Sequence, residues 1–574
     1  MQFLIAHGRS RPASKMVDDD TGLSRDPTQF ESTEHQVRGK SWLGGLIKPP
    51  VIRQFLHSGH LYKEEEERGL SHFELFADLV FVAIVRIFGE VAAEEATVSN
   101  AIKFMLMFWP PWSIWADMRS YLNVSGTDDA IQRVYILLSS VLLIGYTAQG
   151  ASIHVYFPGH GAEETTTTTT TTETEDGHAK FFLFSRDLEG ATISEEGYRA
   201  LHAATGFFLV AKALRLLQLL LYAFALPRFR SAHLVQALFT LIPCLVFLRL
   251  FFVDSAADAM AVFVVGVLLE VVGKFLAGIL VHMGATRRNQ HKFFIPALEI
   301  GHVIEKTTAF FVLVSGEILM AVAYIAEDQE EIGPHGEYAR SSLGVILTFL
   351  LCWVYFDADS CKVFVHAIRR HWFSSIAWTQ LHLPLCASMV IVAASVHEMI
   401  QSNTIDQGLR WYFAVGMSIA MICLGIMGFL HNSLDRPGTG IIPRWVRLGL
   451  RIVLGVLFAL FPLFNNDSSV LELGVYCAGL GALVIVETVG KIGTTGNVVE
   501  HHLPASKDAV NSPYFRGGAE TLAEVEYSSG HKTFRRDELT AYEKGEEDVG
   551  GDESVGLMKT VVIRRGQRTG LAAF

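Results

Sequence analysis

Charged residues are scarce in this sequence. Only 18% of its 574 residues are charged, whereas 50% are apolar, and the mean hydropathy is +0.32. This balance excludes most soluble enzymes. A basic region is also lacking, because 47 Lys and Arg face 59 Asp and Glu, a formal net charge of −12. The sequence therefore gives no basis for nucleic-acid binding.

Cysteine pairs and soluble catalytic motifs are equally lacking. The six cysteines show no short paired spacing, which argues against a disulfide framework or a zinc site. The sequence contains no Walker A motif, no H-E-x-x-H and no G-x-S-x-G. We therefore predict no cofactor, no metal and no soluble catalytic centre.

Long apolar runs dominate what remains. Runs of about 20 residues read as transmembrane helices, because a chain in lipid must satisfy its backbone hydrogen bonds within each segment. The fold class predicted is all-α, a polytopic transmembrane helix bundle of about twelve spans. The predicted spans are 71–89, 101–121, 134–152, 200–224, 234–253, 259–282, 296–325, 342–358, 376–399, 409–430, 444–464 and 469–489.

Alternate connections between these runs are basic, which is typical of cytoplasmic loops. The basic residues are Arg119 and Arg133, Arg228 and Arg230, Arg287, Arg288 and Lys292, Lys362, Arg369 and Arg370, and Arg436, Arg444 and Arg447. The remaining connections are acidic or neutral. We therefore expect an integral membrane protein with both termini in the cytoplasm. The sequence does not distinguish the plasma membrane from an endomembrane as its location.

The sequence divides into three regions, two polar tails and a central apolar domain. Residues 1–69 and 491–574 are polar and predict disordered cytoplasmic tails around a transmembrane domain at 70–490. Within that domain, 151–198 contains eight consecutive threonines, Thr165–Thr172, flanked by acidic residues. Such a segment has too little apolar surface to fold, so an extracytoplasmic low-complexity loop is predicted.

The first span carries two carboxylates, Glu74 and Asp78, spaced four residues apart. This spacing puts them on one face of a helix, about 6 Å apart along the axis. Two carboxylates this close in a membrane segment form a candidate proton or cation site. The alternative is that they cap the helix N-terminus at the membrane interface, where the helix dipole favours acids.

The seventh span carries His302, Glu305, Lys306 and Glu317. His302 and Glu305 are one turn apart, and Glu317 follows about 18 Å further along the helix. Gly316 precedes Glu317 and is expected to let another helix approach. Glu317 is either a proton relay or a hydrogen-bonded packing acid.

Buried cations need partners. Lys212 and Arg215 in the fourth span require acidic groups from other spans, and Glu74, Asp78 or Glu317 are candidates. Lys306 is a third cation of this kind.

Secondary candidates are Glu270, Lys274 and His382. Glu270 and Lys274 have the i,i+4 spacing of an intrahelical ion pair. His382 precedes Pro384, and two prolines interrupt the second span at 109–112. The prolines of both spans are expected to disrupt helix hydrogen bonds and to open a cavity.

An internal repeat is also proposed. Spans one and seven both open on a His-containing acidic turn and both contain Gly-Glu, as Gly89-Glu90 and Gly316-Glu317. Six helices per half would give a 6+6 parallel repeat.

Several of these stretches resemble the bacterial low temperature requirement A (LtrA) family, in a longer form similar to its fungal members. The pattern E-L-F-x-D-L-V-F-V stands at 74–82, and H-x-x-E-R followed by G-E is matched by His302, Glu305, Lys306, Gly316 and Glu317. The resemblance covers roughly 70–490. Lys306 stands where the family usually has Arg, so a bidentate fork is lost. The family is an integral membrane group named for a growth phenotype in the cold, and the resemblance implies no reaction or substrate.

Three functions are consistent with these residues. The first is a proton- or ion-coupled transporter of an unidentified small solute or ion, coupled through Glu74 and Asp78 and through Glu305 and Glu317. A non-catalytic membrane scaffold or cold-adaptation factor is the alternative. A membrane-embedded enzyme is the second alternative, and it would require His72, His302 and His382 to converge near Glu305. The lipid bilayer is the expected partner, nucleic acid is not, and the oligomeric state stays open.

Overall fold

The structure is a computed structural model. It describes residues 69–153, 192–286, 294–323, 336–357, 366–370, 372–431, 441–464 and 468–492, with short stretches between 9 and 62, at 155–156 and between 524 and 564. The threonine tract and most of both predicted tails lie outside the described residues.

Helices make up the body of the protein. In chain order they are α1 His72–Glu94, α2 Val98–Ser125, α3 Ala130–Ala151, α4 Glu195–Ala225, α5 Arg230–Phe247, α6 Ala256–Thr286, α7 Ile300–Ala323, α8 Gly336–Asp357, α9 Ala367–Arg370, α10 Trp372–Gln401, α11 Gln407–Leu430, α12 Arg444–Leu460 and α13 Ser469–Gly490. Short 3-10 turns at Pro227–Phe229, Leu248–Phe252 and Phe461–Leu463 flank α5 and α12. The all-α bundle predicted from the apolar runs is confirmed.

Polar residues start several of these helices. The side chains of Ser71, Thr97, Asp129, Ser194 and Ser468 each accept a hydrogen bond from a backbone N–H in the first turn that follows. Such caps satisfy amides that have no partner within the helix. The apolar runs fix where the helices are, and these residues fix where they begin.

Each of the twelve predicted spans coincides with one long helix. Ten of these helices are long and apolar enough to cross a membrane, and they do not include α1 and α2. These two helices carry several of the charged residues of the sites below. The number of spans that cross the bilayer therefore stays a prediction.

The second span is not interrupted as predicted. Pro110 and Pro111 lie inside α2, and Pro384 lies inside α10. A proline removes one donor, but neighbouring helices hold the segment in helical form. The expectation of a cavity at 109–112 is met, as described below.

Most of the described arginines that were assigned to loops lie within helices instead. They are Arg119 in α2, Arg133 in α3, Arg230 in α5, Arg369 and Arg370 in α9, and Arg444 and Arg447 in α12. Arg119 is buried in α2 and Arg447 is buried in α12. The connection between α2 and α3 contains only 126–129. The charge alternation thus rests on fewer loop residues than the sequence indicates.

The most buried of the candidate spans are α10 and α11. α10 contacts α1, α7, α8 and α11, and α11 packs on α12. On one flank, α3, α4, α5 and α6 pack in sequence order. α1 contacts α2, α3, α7 and α10, and so links this flank to the centre.

Short strands occur outside the helices. They are β1 Arg9–Ser10, β2 Phe55–His57, β3 His60–Tyr62, β4 Val155–Tyr156, β5 Thr192–Ile193, β6 Phe294–Pro296, β7 Glu524–Tyr527, β8 Lys532–Phe534 and β9 Val561–Arg564. They pair in the orders β1-β3-β2-β6, β4-β5 and β8-β7-β9.

The segment before α1 contacts one end of the bundle. Arg53 Nε donates to the Gly126 carbonyl at 2.8 Å, and Lys48 Nζ donates to the Thr127 carbonyl at 2.8 Å. β2 pairs antiparallel with β6, which immediately precedes α7. This segment therefore lies at the same end of the bundle as the α2–α3 and α6–α7 connections. The compartment at that end stays a prediction.

The 6+6 repeat also stays a prediction, and the two Gly-Glu pairs differ in packing. A Cβ on Gly89 would lie 2.8 Å from Val390 Cγ1 of α10, so this glycine allows a close helix approach. A Cβ on Gly316 would meet no described atom within 4 Å. The expected close approach at Gly316 is therefore wrong.

Candidate functional site

A charged cluster lies in the middle of three helices. Lys212 Nζ of α4 is 2.6 Å from Asp117 Oδ2 of α2 and 2.8 Å from Glu270 Oε1 of α6. Lys274 Nζ, one turn after Glu270, is 2.9 Å from Glu270 Oε1 and 3.8 Å from Asp117 Oδ1. Lys212 Nζ also donates to Ser113 Oγ at 2.5 Å. These five residues, Ser113, Asp117, Lys212, Glu270 and Lys274, are called the central cluster.

Glu270 is the most fully satisfied member. It accepts hydrogen bonds from Ser113 Oγ and, at 3.2 Å, from Trp109 Nε1, in addition to both lysines. Burial of a carboxylate is costly unless it is paired and hydrogen-bonded. The central cluster meets that requirement with two carboxylates and two ammonium groups.

The depth of the central cluster separates it from ordinary surface ion pairs. At 1.5 Å per residue, Glu270 lies about 21 Å from the start of α6 and about 24 Å from its end. Lys212 is similarly far from both ends of α4. The hydrocarbon layer of a bilayer is about 30 Å thick, so both residues lie near the middle of helices that are long enough to cross it. Charges at this depth usually mark a substrate or ion pathway.

A cavity lies beside the central cluster. Its volume is about 100 Å³, enough for several waters or a small solute. Its walls come mainly from α2, α4, α5 and α6, with Leu298 before α7, Val303 of α7, and Thr379 and Gln380 of α10. The charged residues that line it are Asp117, Arg119, Lys212, Arg215, Glu270 and Lys274, and its aromatic residues are Trp109, Trp112, Phe208, Phe239 and Phe247.

A second charged cluster joins the first turns of α1 and α7. His302 Nε2 is 3.1 Å from Glu74 Oε2, and Lys306 Nζ is 3.1 Å from Asp78 Oδ2 and 3.8 Å from Glu74 Oε2. All four side chains are buried. These residues, Glu74, Asp78, His302 and Lys306, are called the first-turn cluster. The sequence identified all four members.

The capping alternative for Glu74 holds alongside this cluster. The Glu74 amide donates to Ser71 Oγ, and Ser71 Oγ donates to Glu74 Oε1 at 3.3 Å. Glu74 therefore completes the N-terminus of α1 and contacts His302 with its other oxygen.

α2 lies between the two clusters. Trp115 Nε1 donates to Asp78 Oδ1 at 2.7 Å, and Asn123 Nδ2 lies 3.1 Å from His302 Nδ1. The guanidinium of Arg119 stands 4.6 Å from the centre of the Trp115 ring. Arg119 and Asn123 also line the cavity. One helix thus contacts the first-turn cluster, the central cluster and the cavity.

Glu317 contacts neither the central cluster nor the first-turn cluster among the described residues. Its Oε2 is 3.8 Å from Arg86 Nε of α1, and Arg86 Nε donates to Glu90 Oε1 at 2.6 Å. A small cavity of about 10 Å³ adjoins these residues and His397 of α10. The Gly-Glu pairs of α1 and α7 therefore converge on one arginine.

Other candidates lie outside these groups. Glu305 is exposed on α7 and does not join Glu317 or the first-turn cluster. Arg215 lines the cavity and donates from Nη1 to Gln218 Oε1 at 2.6 Å. His382 Nε2 is 3.3 Å from the Tyr355 hydroxyl, and its Nδ1 is 2.8 Å from the Trp378 carbonyl.

The pairing expected for Lys212 was wrong in its partners. Its carboxylates are Asp117 and Glu270 rather than Glu74, Asp78 or Glu317. The Glu270–Lys274 pair forms as expected, but Glu270 is shared with Lys212.

Two residues of the site, Asp117 and Arg119, were not singled out from the sequence. A signal was present, since both lie within the second apolar run, where ionisable residues are rare. Arg119 was instead assigned to a loop.

The fold and the clusters define a multi-pass membrane protein with ionisable residues buried among its helices. Residues 70–486 match the family described as bacterial low temperature requirement A protein (LtrA), and the chain belongs to this family. No curated protein and no solved structure matches the chain.

Proposed function

We propose that this protein is a proton- or ion-coupled transporter of a small solute, with the cavity beside the central cluster as its binding site. The observation that carries the proposal is the position of Lys212, Asp117 and Glu270. They form a buried ion-paired group in which Lys212 and Glu270 lie near the middle of long apolar helices, and they line a cavity large enough for a small solute.

The central cluster has the chemistry that coupling requires. Lys212 is held between two carboxylates that belong to different helices, α2 and α6. A proton or cation that binds Asp117 or Glu270 would weaken its attraction to the lysines. The contacts among α2, α4 and α6 would then change, and ion binding would be linked to helix position.

The first-turn cluster supplies a second titratable group near the helix ends. His302 Nε2 and Glu74 Oε2 are in contact there, and an imidazole beside a carboxylate can take up a proton and pass it on. Asn123 contacts His302 and lines the cavity, so the two sites share α2. We assign the first-turn cluster to the route by which a coupling ion reaches the central cluster.

The two alternatives have less support. A membrane enzyme requires His72, His302 and His382 to meet near Glu305, but His72 and Glu305 are exposed, and none of these four lines the larger cavity. A membrane scaffold would use the same clusters only to hold helices together, and neutral replacements would then preserve function.

The test is ion flux in liposomes that contain the purified protein. A pH gradient is imposed, and internal pH is followed with a trapped dye for wild type and Glu270→Gln. We expect the variant to lose at least nine-tenths of the wild-type flux. Glutamine keeps the size of the side chain, but its amide does not bind or release a proton under the conditions of the assay.

Glu195→Gln is the matched control. Glu195 is an exposed glutamate whose ion pair with Arg199 lies on the surface. This variant should retain wild-type flux. Equal flux in Glu270→Gln and Glu195→Gln, with equal amounts of folded protein, would contradict the assignment of Glu270. No flux in the wild type under any gradient would favour the scaffold.

A further inference from the structure

The cavity carries a surplus of positive charge. Of the charged side chains that line it, Arg119, Lys212, Arg215 and Lys274 are cationic, and Asp117 and Glu270 are anionic. The two lysines are matched by the two carboxylates of the central cluster. The two arginines remain in excess.

Arg119 is the less satisfied of these two arginines. Its side chain is only 8% exposed, and its Nη1 is buried without a hydrogen-bond partner among the described residues. The carboxylate that acts on it is Asp78. Asp78 already accepts hydrogen bonds from Trp115 and Lys306. Arg119 otherwise rests on the face of Trp115.

Arg215 also keeps unused hydrogen-bonding capacity. A guanidinium has five N–H donors, and the structure pairs Arg215 Nη1 with the neutral Gln218 side chain. Arg215 interacts electrostatically with Asp117. The Asp117 carboxylate, however, is already paired with Lys212, whose Nζ lies 2.6 Å from Asp117 Oδ2. An arginine kept this deep without a close carboxylate is costly unless a further anion accompanies it.

We propose that the cavity binds an anion that carries an oxyanion group, held by Arg119 and Arg215, and a compact apolar body. Guanidinium groups match the geometry of carboxylates and phosphates. Phe208, Phe239 and Phe247 form an aromatic part of the wall that suits an apolar body. That the bound anion is the transported solute rests on the proposed function, but the binding itself does not.

The test is equilibrium binding to the full-length protein in lipid nanodiscs without any gradient. The probes are benzoate and phenyl phosphate, which share a phenyl group and differ in the oxyanion, and benzyl alcohol, which has no charge. Isothermal titration calorimetry gives Kd, and the melting temperature gives an independent measure. We expect one or both anions to bind, and benzyl alcohol to bind at least tenfold more weakly.

Arg119→Gln and Arg215→Gln should each weaken anion binding at least tenfold. Arg133→Gln is the matched control, because Arg133 is exposed and pairs with Asp128. It should leave Kd unchanged. Arg119→Gln should also leave the melting temperature of the ligand-free protein unchanged or raise it, since it removes a buried charge that has no close carboxylate. This readout shows that the variant is folded.

The proposal is overturned if neither anion binds the wild type, if benzyl alcohol binds as tightly as the anions, or if both arginine variants bind like wild type. Anion binding without flux in liposomes would sustain the anion site and contradict the transporter. If the wild type shows flux that Glu270→Gln abolishes but binds neither anion, the transporter is supported and the anion site is contradicted.

Discussion

The Nζ atom of Lys306 lies 3.1 Å from Oδ2 of Asp78, and this contact joins α7 to α1 across 228 residues of sequence. Both side chains are completely buried. Lys306 also donates to the Glu74 carbonyl at 3.3 Å, so it contacts two successive turns of α1. The pair therefore fixes the register of the two helices that form the first-turn cluster.

Breaking this pair from one side should destabilise the protein. In Lys306→Met, the hydrogen bond from Trp115 is the one that Asp78 keeps among the described residues, and its charge is left buried. Loss of one partner of a buried ion pair typically costs about 3–5 kcal/mol. Asp78→Asn should cost less, because Lys306 retains Glu74 at 3.8 Å. Thermal unfolding in nanodiscs measures both.

The double variant Asp78→Asn/Lys306→Met distinguishes a specific pair from general damage. Removal of both charges should be less destabilising than the sum of the single changes by about 0.5–3 kcal/mol, the usual range for residues in contact. Strict additivity would show that the two charges do not interact in the folded protein.

Two glycines allow a test of helix packing. A Cβ on Gly408, in the first turn of α11, would collide with the carbonyl oxygen of Ala96 in the α1–α2 connection. A backbone atom cannot move away cheaply, so Gly408→Ala should lower the melting temperature. Gly316→Ala should leave the melting temperature unchanged or raise it, because alanine favours a helix and the position is open. The gain in the free energy of unfolding should be at most about 1 kcal/mol. Equal effects of the two changes would contradict these packing assignments.

The sequence predicted the helices well because its signal is local. Long apolar runs locate each helix, and residues such as Ser71 and Asp129 stand where capping requires them. The same local reasoning placed a break at Pro110 and Pro111. It failed there because neighbouring helices can hold a proline-containing segment in helical form.

The site was predictable in part. Glu74, Asp78, His302 and Lys306 were found because charges within apolar runs are conspicuous. Their mutual contacts could not be derived, since pairing across 228 residues depends on how the helices pack. Lys212 shows the same limit. Its need for an acid was evident, but the acid proved to be Asp117 and Glu270.

The ion pair between Arg451 and Glu487 should contribute to stability alone. Arg451 of α12 donates to both carboxylate oxygens of Glu487 of α13, at 2.6 and 2.5 Å. Neither residue lines either cavity. Glu487→Gln should therefore lower the melting temperature, while flux per folded molecule and anion affinity stay at the wild-type level. A selective loss of flux at unchanged melting temperature would show that this pair belongs to the pathway.

The topology makes a separate prediction. The segment 48–57 bonds to the α2–α3 connection and pairs with β6 in the α6–α7 connection. An epitope tag at the N-terminus and a second tag at the C-terminus should both be cytoplasmic. In intact cells, antibodies should reach either tag only after permeabilisation. Labelling of one terminus from outside would refute an even number of spans with cytoplasmic ends.

Glu317 allows a direct choice between a proton relay and a packing acid. Its Oε2 has no hydrogen-bond partner within the described part of the chain, and the cation beside it, Arg86 Nε at 3.8 Å, is shared with Glu90. Neutralising Glu317 should therefore change the melting temperature little. Glu317→Gln should nevertheless abolish proton flux if Glu317 relays protons, because glutamine cannot titrate.

Glu90→Gln is the matched control for this change, since it removes the other carboxylate from Arg86 and leaves Glu317 in place. A relay at Glu317 requires that Glu90→Gln keep most of the flux while Glu317→Gln loses it. Wild-type flux in Glu317→Gln would instead identify Glu317 as a packing acid, and coupling would then rest on the central cluster alone.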